Sequence, residues 1–362
     1  MSGGITQLVA IGAQDAHLVG NPEVSFFRTA YRRHTNFSQV TERLLIQGNP
    51  TNNGMSTVRI ERKGDMVGYM YITPLTSAGE ATTFTANCPP IDKVEVLIGG
   101  QVIDTQSNIF TSMIANPYTD STAGKVLAQT PTDPGSPFYP LKFWFNENWQ
   151  SALPLVSLQY HDVELRITWG DDITTGTGTI ARFECWANFI YLDTAEREQL
   201  SSKPQEILIY QVQKASAAAA STTMLELNFN HPIKFLASAA QIIHDEDAGK
   251  LALQVNGVTI GEPKNYNPHF TTAPRYYHTT FGDGLRSAAP GTGNTAFLYP
   301  FCLDTNKLQP TGSLNFSRLD SARLSIENST FATSPTIAND IYAVNYNVLR
   351  VENGMGGLMY AN

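Results

Sequence analysis

The sequence predicts an all-β protein of two tandem sandwich domains, with short helices only in loops and in a linker. Three observations lead there. Charged residues fill 15% of the 362 positions, against about 25% in an average domain; Thr, Ser, Asn and Gln take their place, as in β-rich proteins. Apolar and polar residues alternate through short runs bounded by Gly, Pro, Asn and Asp, the pattern of half-buried strands closed by turns. Stretches of sequence also return after 157 residues, a period too long for a solenoid and the size of one sandwich.

Along the chain, strands are expected at residues 37–47, 57–62, 66–73, 94–98, 140–145, 163–169 and 182–192. Alternation is plainest in Thr57-Val58-Arg59-Ile60-Glu61 and in Asp162-Val163-Glu164-Leu165-Arg166-Ile167. A helix is expected at 193–200, where Asp193 with Glu196 three residues on reads as a capping box and Pro204 closes the segment. A second helix is expected over 106–115.

The repeat rests on three matches. Val94-Glu95-Val96-Leu97-Ile98, Gly99-Gly100 and Gln101-Val102-Ile103 are echoed by Leu251-Ala252-Leu253-Gln254-Val255, Asn256-Gly257 and Val258-Thr259-Ile260. The central pairs suit a two-residue hairpin turn. Ser157-Leu158-Gln159-Tyr160 returns as Ser313-Leu314-Asn315-Phe316, and Ala187–Leu192 of the first copy as 344–349 of the second. Val96 is thus expected to superpose on Leu253, and Phe189 on Tyr346. A copy of this size buries roughly 70% of its chain surface unaided. An immunoglobulin-like sandwich and an eight-stranded jelly roll both fit; the long excursions at 76–92 and 116–138 favour the jelly roll.

Composition narrows the function. The net charge of −8 argues against a protein that wraps nucleic acid, which needs a basic footprint. Cys88, Cys185 and Cys302 lie far apart, in no pairing pattern, which suits a reducing compartment rather than a disulfide scaffold. No apolar run reaches the length of a membrane span, and residues 1–20 lack the layout of a secretory signal. A soluble protein of the cytosol, or one assembled there, is expected.

Candidate chemistry is sparse. Gly170-Asp171-Asp172 has the acidic pair of a two-metal site, yet it precedes a polar run of Thr and Gly that reads as a solvated turn. His244-Asp245-Glu246-Asp247 offers cation ligands without the spacing of a calcium loop. His161-Asp162 and His231-Pro232 read as core or corner residues, since no nucleophile elbow, phosphate loop or dinucleotide fingerprint accompanies them. Phe143-Trp144-Phe145, Trp149, Tyr276-Tyr277 and Phe26-Phe27 fit either sugar platforms or core and subunit contacts; Phe143 and Phe145 are expected to face the core and Trp144 to face a neighbour or loop. Arg28, Arg32 and Arg33 give the N-terminal segment a basic cluster for acidic partners or for contacts between subunits. Asn36-Phe37-Ser38, Asn315-Phe316-Ser317 and Asn328-Ser329-Thr330 match the glycosylation pattern, but a cytosolic product escapes the usual transferase. No catalytic, cofactor-binding or metal-binding residue is assigned, and no cofactor is expected.

A wider likeness runs through the chain. It begins at Gly3-Gly4-Ile5-Thr6-Gln7-Leu8-Val9-Ala10, Gly12-Ala13-Gln14-Asp15 and Phe26-Phe27-Arg28-Thr29-Ala30-Tyr31-Arg32-Arg33-His34-Thr35-Asn36-Phe37. It continues at Leu153-Pro154-Leu155-Val156-Ser157-Leu158-Gln159-Tyr160, Leu227-Asn228-Phe229-Asn230-His231-Pro232 and Gln309-Pro310-Thr311-Gly312-Ser313-Leu314-Asn315-Phe316. It closes at Ile341-Tyr342-Ala343-Val344-Asn345-Tyr346 and Gly354-Met355-Gly356-Gly357-Leu358. In these blocks the chain resembles the major capsid proteins of nucleocytoplasmic large DNA viruses, the phycodnavirus and mimivirus-like groups above all.

The resemblance implies a double jelly roll and a structural subunit rather than an enzyme. It implies a homotrimer of six similar lobes, a pseudo-hexagonal capsomer that tiles an icosahedral virion shell assembled in the host cytoplasm. Implied partners are further copies of itself, minor capsid proteins beneath the shell and a nearby inner membrane, with no direct specific nucleic-acid binding. A minor capsid paralogue and a carbohydrate-binding sandwich are the alternatives. The expected divisions are an N-terminal arm at 1–24, a first roll at 25–194, a linker at 195–206, a second roll at 207–353 and a tail at 354–362. The arm shows no sustained helix or strand period, yet its Leu8, Val9, Ile11, Leu18 and Val19 suit docking beneath a trimer. The stretch 261–295 is short for the family's outer loops.

Overall fold

The computed structural model describes residues 3–76, 78–80, 82–84, 90–115, 118–119, 138–171, 173, 182–215, 223–239, 242–243, 245, 247–279, 296–331 and 340–361. Two compact units emerge, Met1–Asn36 and Phe37–Asn362. The first carries helices α1 (Gly3–Val9) and α2 (Ala16–Val19), neither with a buried residue. This corrects the expectation of an arm without helix. Both fall below the roughly 12 residues at which an isolated helix holds on its own.

The described residues of the second unit form twenty strands: β1 (Phe37–Leu44), β2 (Ile46–Gln47), β3 (Met55–Ile60), β4 (Met66–Leu75), β5 (Ile91–Ile98), β6 (Gln101–Ser107), β7 (Tyr139–Pro140), β8 (Leu153–Pro154), β9 (Val163–Trp169), β10 (Arg182–Leu192), β11 (Gln205–Ala215), β12 (Met224–Glu226), β13 (Pro232–Ala237), β14 (Lys250–Val255), β15 (Val258–Asn265), β16 (Leu298–Pro300), β17 (Leu314–Asn315), β18 (Ala322–Glu327), β19 (Ile341–Glu352) and β20 (Met355–Leu358). The first sandwich pairs them as β1-β10-β4-β7 and β2-β3-β9-β5-β6; the second as β11-β19-β13-β16 and β12-β18-β14-β15. With the small strands β2, β8, β17 and β20 set aside, both copies have the same order. The first, eighth, third and sixth strands make one sheet, and the second, seventh, fourth and fifth the other. The fold is a double jelly roll.

Each roll has its own core. Val58, Val67, Val96, Leu165 and Phe189 are among those lining the first, and Leu225, Ile233, Leu253, Leu324 and Ala343 the second. The two hairpins that carry the repeat turn at Gly99-Gly100 and Asn256-Gly257, all four residues at positive φ, which is the turn that matches strand twist. Val96 pairs with Leu165 and Leu253 with Leu324, so β5 and β14 match residue for residue; past the turn a β-bulge at Ile103 puts Asp104 opposite Val96, where Ile260 lies opposite Leu253.

The other two matches slip. Val67, paired with Leu153, corresponds to Ile233, paired with Leu314. Across the sheet Val67 faces Phe189 and Ile233 faces Asn345. Phe189 therefore corresponds to Asn345, not Tyr346; the strand is right and the register is one residue out. A slip of one turns a side chain to the opposite face, and Phe189 is in the core as stated. Likewise β8 and the turn Leu155–Ser157 correspond to β17 and the turn Phe316–Arg318, so Ser157–Tyr160 is not the counterpart of 313–316.

Local departures have local causes. The strand expected at 140–145 stops at Pro140, and Trp144–Glu147 makes one turn of helix, α3. An extended strand would turn Trp144 away from Phe143 and Phe145; the helical turn buries all three. Strand β6 runs through Ser107, and the helix expected over 106–115 is present as a π-helix at Phe110–Ala115, its start displaced by the strand. The linker helix α4 spans Thr194–Ser202, with the Asp193 carboxylate accepting from the Thr194 amide at 2.8 Å, a single cap rather than a reciprocal box. Helices α5 (Tyr266–His269) and α6 (Thr272–His278) follow β15.

Candidate assembly surface

The rolls are joined by a joint that their sequence positions make intelligible. Strand β6, at the edge of the first roll, lies against β11, at the edge of the second. Asp104 is buried there: one carboxylate oxygen accepts from the Val212 amide at 2.9 Å and the other from Gln106 Nε2 at 2.9 Å. Burial pushes its pKa up to about 7 against these hydrogen bonds. Gln211, also buried, donates to the Ile103 carbonyl and accepts from Asn347 Nδ2 at 2.9 Å. Beside this polar seam, Phe110, Ile114 and Tyr118 pack on Phe235, Ala237, Tyr342 and Val344 of the second roll. At the other end His161 Nδ1 sits 2.9 Å from the Gly356 carbonyl, and the Tyr160 amide donates to the Gly354 carbonyl. Strand β20 is thereby fastened to the first roll.

The residues singled out in the sequence have structural places. His161 is a joint residue rather than a core one. His231 stands at a strand-end corner, at φ 67, its amide donating to Ser317 Oγ at 2.7 Å. Asp162 pairs with Arg59 at 2.7 Å. Gly170 is a turn held to Pro90 and Asn53 by backbone bonds; Asp172 lies outside the described residues. So do His244 and Glu246, while Asp245 folds its carboxylate onto the amides of Asp247 and Ala248. Among the described residues no three His, Cys, Asp or Glu side chains are grouped to hold a metal, and no helix is long and apolar enough to cross a membrane. Burial raises the Cys185 thiol to about 12 and raises Cys302 as well; Cys88 is outside the described residues.

What the chain does offer is apolar surface. Phe26, Phe27 and Tyr31 of the first unit are almost fully exposed, with Arg28, Arg32 and Arg33 exposed among them. In the second unit Trp149, Tyr276, Tyr277, Val258, Ile260, Phe37 and Val40 are exposed. Trp149 meets Tyr69 edge-on, and Tyr69 stacks with Tyr71 on the outer face of the first roll. Sequence inspection flagged several of these aromatics but missed Asp104 and Gln211. The available signal was polar residues in phase with apolar ones on β11 and β19, where Gln211, Asn345 and Asn347 fall.

Comparison with known proteins gives these surfaces a setting. Residues 25–193 match the family model described as major capsid protein N-terminus, and residues 269–357 that described as large eukaryotic DNA virus major capsid protein. The chain is 34% identical to the major capsid protein of Pyramimonas orientalis virus and 33% identical to that of Paramecium bursaria Chlorella virus 1, each over the full length of both proteins. Its fold superposes on PBCV-1 VP54, a crystal structure fitted into a reconstruction of the virophage Sputnik, with a TM-score of 0.73 at 29% identity, covering 93% of this chain and 100% of that one.

Proposed function

The chain belongs to the major capsid proteins of large eukaryotic DNA viruses, shell components of the virion, and from that premise we propose that three copies close into a pseudo-hexagonal capsomer that tiles an icosahedral shell. The observation that carries this reading is the identical strand order of the two rolls. Three chains then present six similar lobes, which is what a six-neighbour lattice position requires. The chain works by binding copies of itself and not by catalysis. It needs no cofactor, and its net charge of −8 suits a shell that surrounds DNA without reading it. Assembly takes place in the host cytoplasm, over an inner membrane.

We propose as functional divisions an arm at 1–24, rolls at 25–194 and 207–353 joined by 195–206, and a tail at 354–362. Purified protein is expected to scatter light as a trimer and to appear as hexagonal tiles in negative stain. A persistent monomer at micromolar concentration would overturn the trimer. Interfaces of such permanence bury at least about 2,000 Å².

The arm has a separate role. Leu8, Val9, Ile11, Leu18 and Val19 are exposed, a cost to a solitary chain that docking on minor capsid proteins at the inner shell face removes. Deletion of residues 1–23 is expected to leave trimers intact and to impair shell assembly. Normal particles from the truncated chain would deny the arm that role, and failure to trimerise would place it in the trimer itself.

A further inference from the structure

The chain contains three Asn-Gly pairs, Asn53-Gly54, Asn256-Gly257 and Asn353-Gly354. An asparagine before glycine is open to attack by the backbone on its own side chain, because the glycine has no Cβ to shield its amide. That amide nitrogen can reach the carboxamide carbon and displace ammonia. In the three pairs the asparagine stands at φ 54, 50 and 53, the left-handed region that asparagine tolerates in turns. Sequence and backbone conformation therefore do not separate the three sites. Their hydrogen bonds do.

At the first pair the nucleophile is held. The Gly54 amide donates to the Thr51 carbonyl at 2.8 Å, and the Gly54 carbonyl accepts from the Trp169 amide at 2.9 Å. At the second pair the electrophile is held. Asn256 Oδ1 accepts from the amides of Asp320 and Ser321 at 2.8 and 3.2 Å, so its carboxamide swings onto Gly257 only by losing both. At the third pair neither group is engaged: among the described residues nothing hydrogen-bonds the Asn353 side chain or the Gly354 amide. Asn353 is exposed. Strand β20 is four residues long and pairs, among the described residues, with β19 alone, so this hairpin opens locally at low cost.

The same pair is where β20 is fastened to the first roll. The Gly354 carbonyl accepts from the Tyr160 amide at 2.9 Å, and the Gly356 carbonyl lies 2.9 Å from His161 Nδ1. The backbones approach closely here. A Cβ on Gly354 would come within 2.6 Å of the Tyr160 ring, and one on Gly356 within 2.6 Å of Leu158. A backbone placed so tightly has no room for an added atom.

We propose that Asn353 is a site of spontaneous conversion to isoaspartate in the folded protein, and that the conversion unfastens β20 from the first roll. The Gly354 nitrogen forms a bond to Asn353 Cγ while the Cγ–Nδ2 bond breaks, and the amide proton leaves with Nδ2 as ammonia. Water then opens the cyclic imide. Opening at the backbone carbonyl carbon leaves the chain running through Cγ, one atom longer, with a free carboxylate; opening at Cγ gives ordinary aspartate. The sum is one water consumed and one ammonia released, with solvent as the co-reactant. The lengthened link displaces Gly354 from Tyr160 and shifts β20 against β19. The site thus limits how long the fastening between the rolls survives, and it acts within a single chain whether or not copies assemble.

The test ages the full folded chain in mildly alkaline buffer, labels isoaspartate with a protein isoaspartyl methyltransferase and locates the label by peptide mapping. A parallel sample is aged in denaturant, where the three pairs are expected to react alike. A hydrogen bond that must first break is worth about fivefold in the reactive fraction. In the folded chain Asn353 is therefore expected to react about fivefold faster than Asn53 and, against two bonds, about 25-fold faster than Asn256. Amide exchange at Tyr160 is expected to quicken in the aged wild type. It is expected to hold its fresh rate in aged Asn353→Gly, whose Gly-Gly turn is that of Gly99-Gly100 in the first roll. Freshly prepared Asn353→Asp, which has the charge without the longer backbone, is expected to hold that rate too. Equal labelling of Asn353 and Asn256 in the folded chain, or label at 353 only after denaturation, would overturn the site. Label at 353 with Tyr160 exchange unchanged would overturn the unfastening. Exchange as fast in fresh Asn353→Asp as in aged wild type would assign the effect to charge and overturn the role of the longer backbone.

Discussion

Phe110→Ala is expected to cost about 3–5 kcal/mol of stability, the usual penalty for emptying a buried phenylalanine site. Phe110 is fully buried, with its ring centroid 5.9 Å from that of Tyr342 across the joint. It belongs to neither sandwich interior but to the third cluster, which lies between the rolls. The lost packing therefore falls on the coupling between rolls. Denaturant unfolding is expected to be one cooperative step for the native chain, and in the variant to fall in midpoint and broaden into two. Phe26→Ala, at a residue 94% exposed, is the matched control and should shift stability by no more than about 0.5 kcal/mol. Equal effects from the two would show that the Phe110 turn is not what holds the rolls together.

Much of this architecture was legible in the sequence, and the failures have a common cause. Alternation located β9 and β10 at their observed bounds, because both bury one face of a sandwich and leave the other less buried. The hairpin pairs Gly99-Gly100 and Asn256-Gly257 fixed one correspondence between copies, since a two-residue turn leaves no freedom of register. Away from a turn that anchor is missing. The similarity of Phe189 to Tyr346 is one of chemistry, and only the cross-strand partners reveal the one-residue slip that puts them on opposite faces. Phe143-Trp144-Phe145 misled for a related reason: period-two reasoning has no place for three adjacent buried rings. The joint was hardest to see. Asp104 follows a strand-like run and looks like a solvent-facing residue until β11, more than a hundred positions on, is brought against it. The exposed aromatics Tyr276 and Tyr277 stand out in the sequence, but only the fold shows that both lie open on α6.

Asp104 itself sets the second large effect. Burial takes its pKa from an ordinary 3.8 to about 7 in the folded chain, so between those values the native state holds a proton that the unfolded chain has released. Stability therefore falls as pH rises through that window, by roughly 4 kcal/mol across its full width. Below the window the carboxyl is neutral in both states and the penalty is absent; above it the penalty is complete. Asp104→Asn removes the charge. The amide oxygen still accepts from Val212, but the amide nitrogen meets Gln106 Nε2 donor to donor, at a cost of about 1 kcal/mol. Wild type is thus expected to be the more stable at about pH 3.5 and the variant at about pH 8, with the two stability curves crossing between, at about pH 4.4. Other titrating groups are common to both proteins and cancel in the difference. Parallel curves from denaturant titrations at the two pH values would mean that Asp104 is charged and compensated in the joint at every pH. A crossing would mean that the polar seam between the rolls, where Asp104 accepts from Val212 and Gln106, tightens in acid.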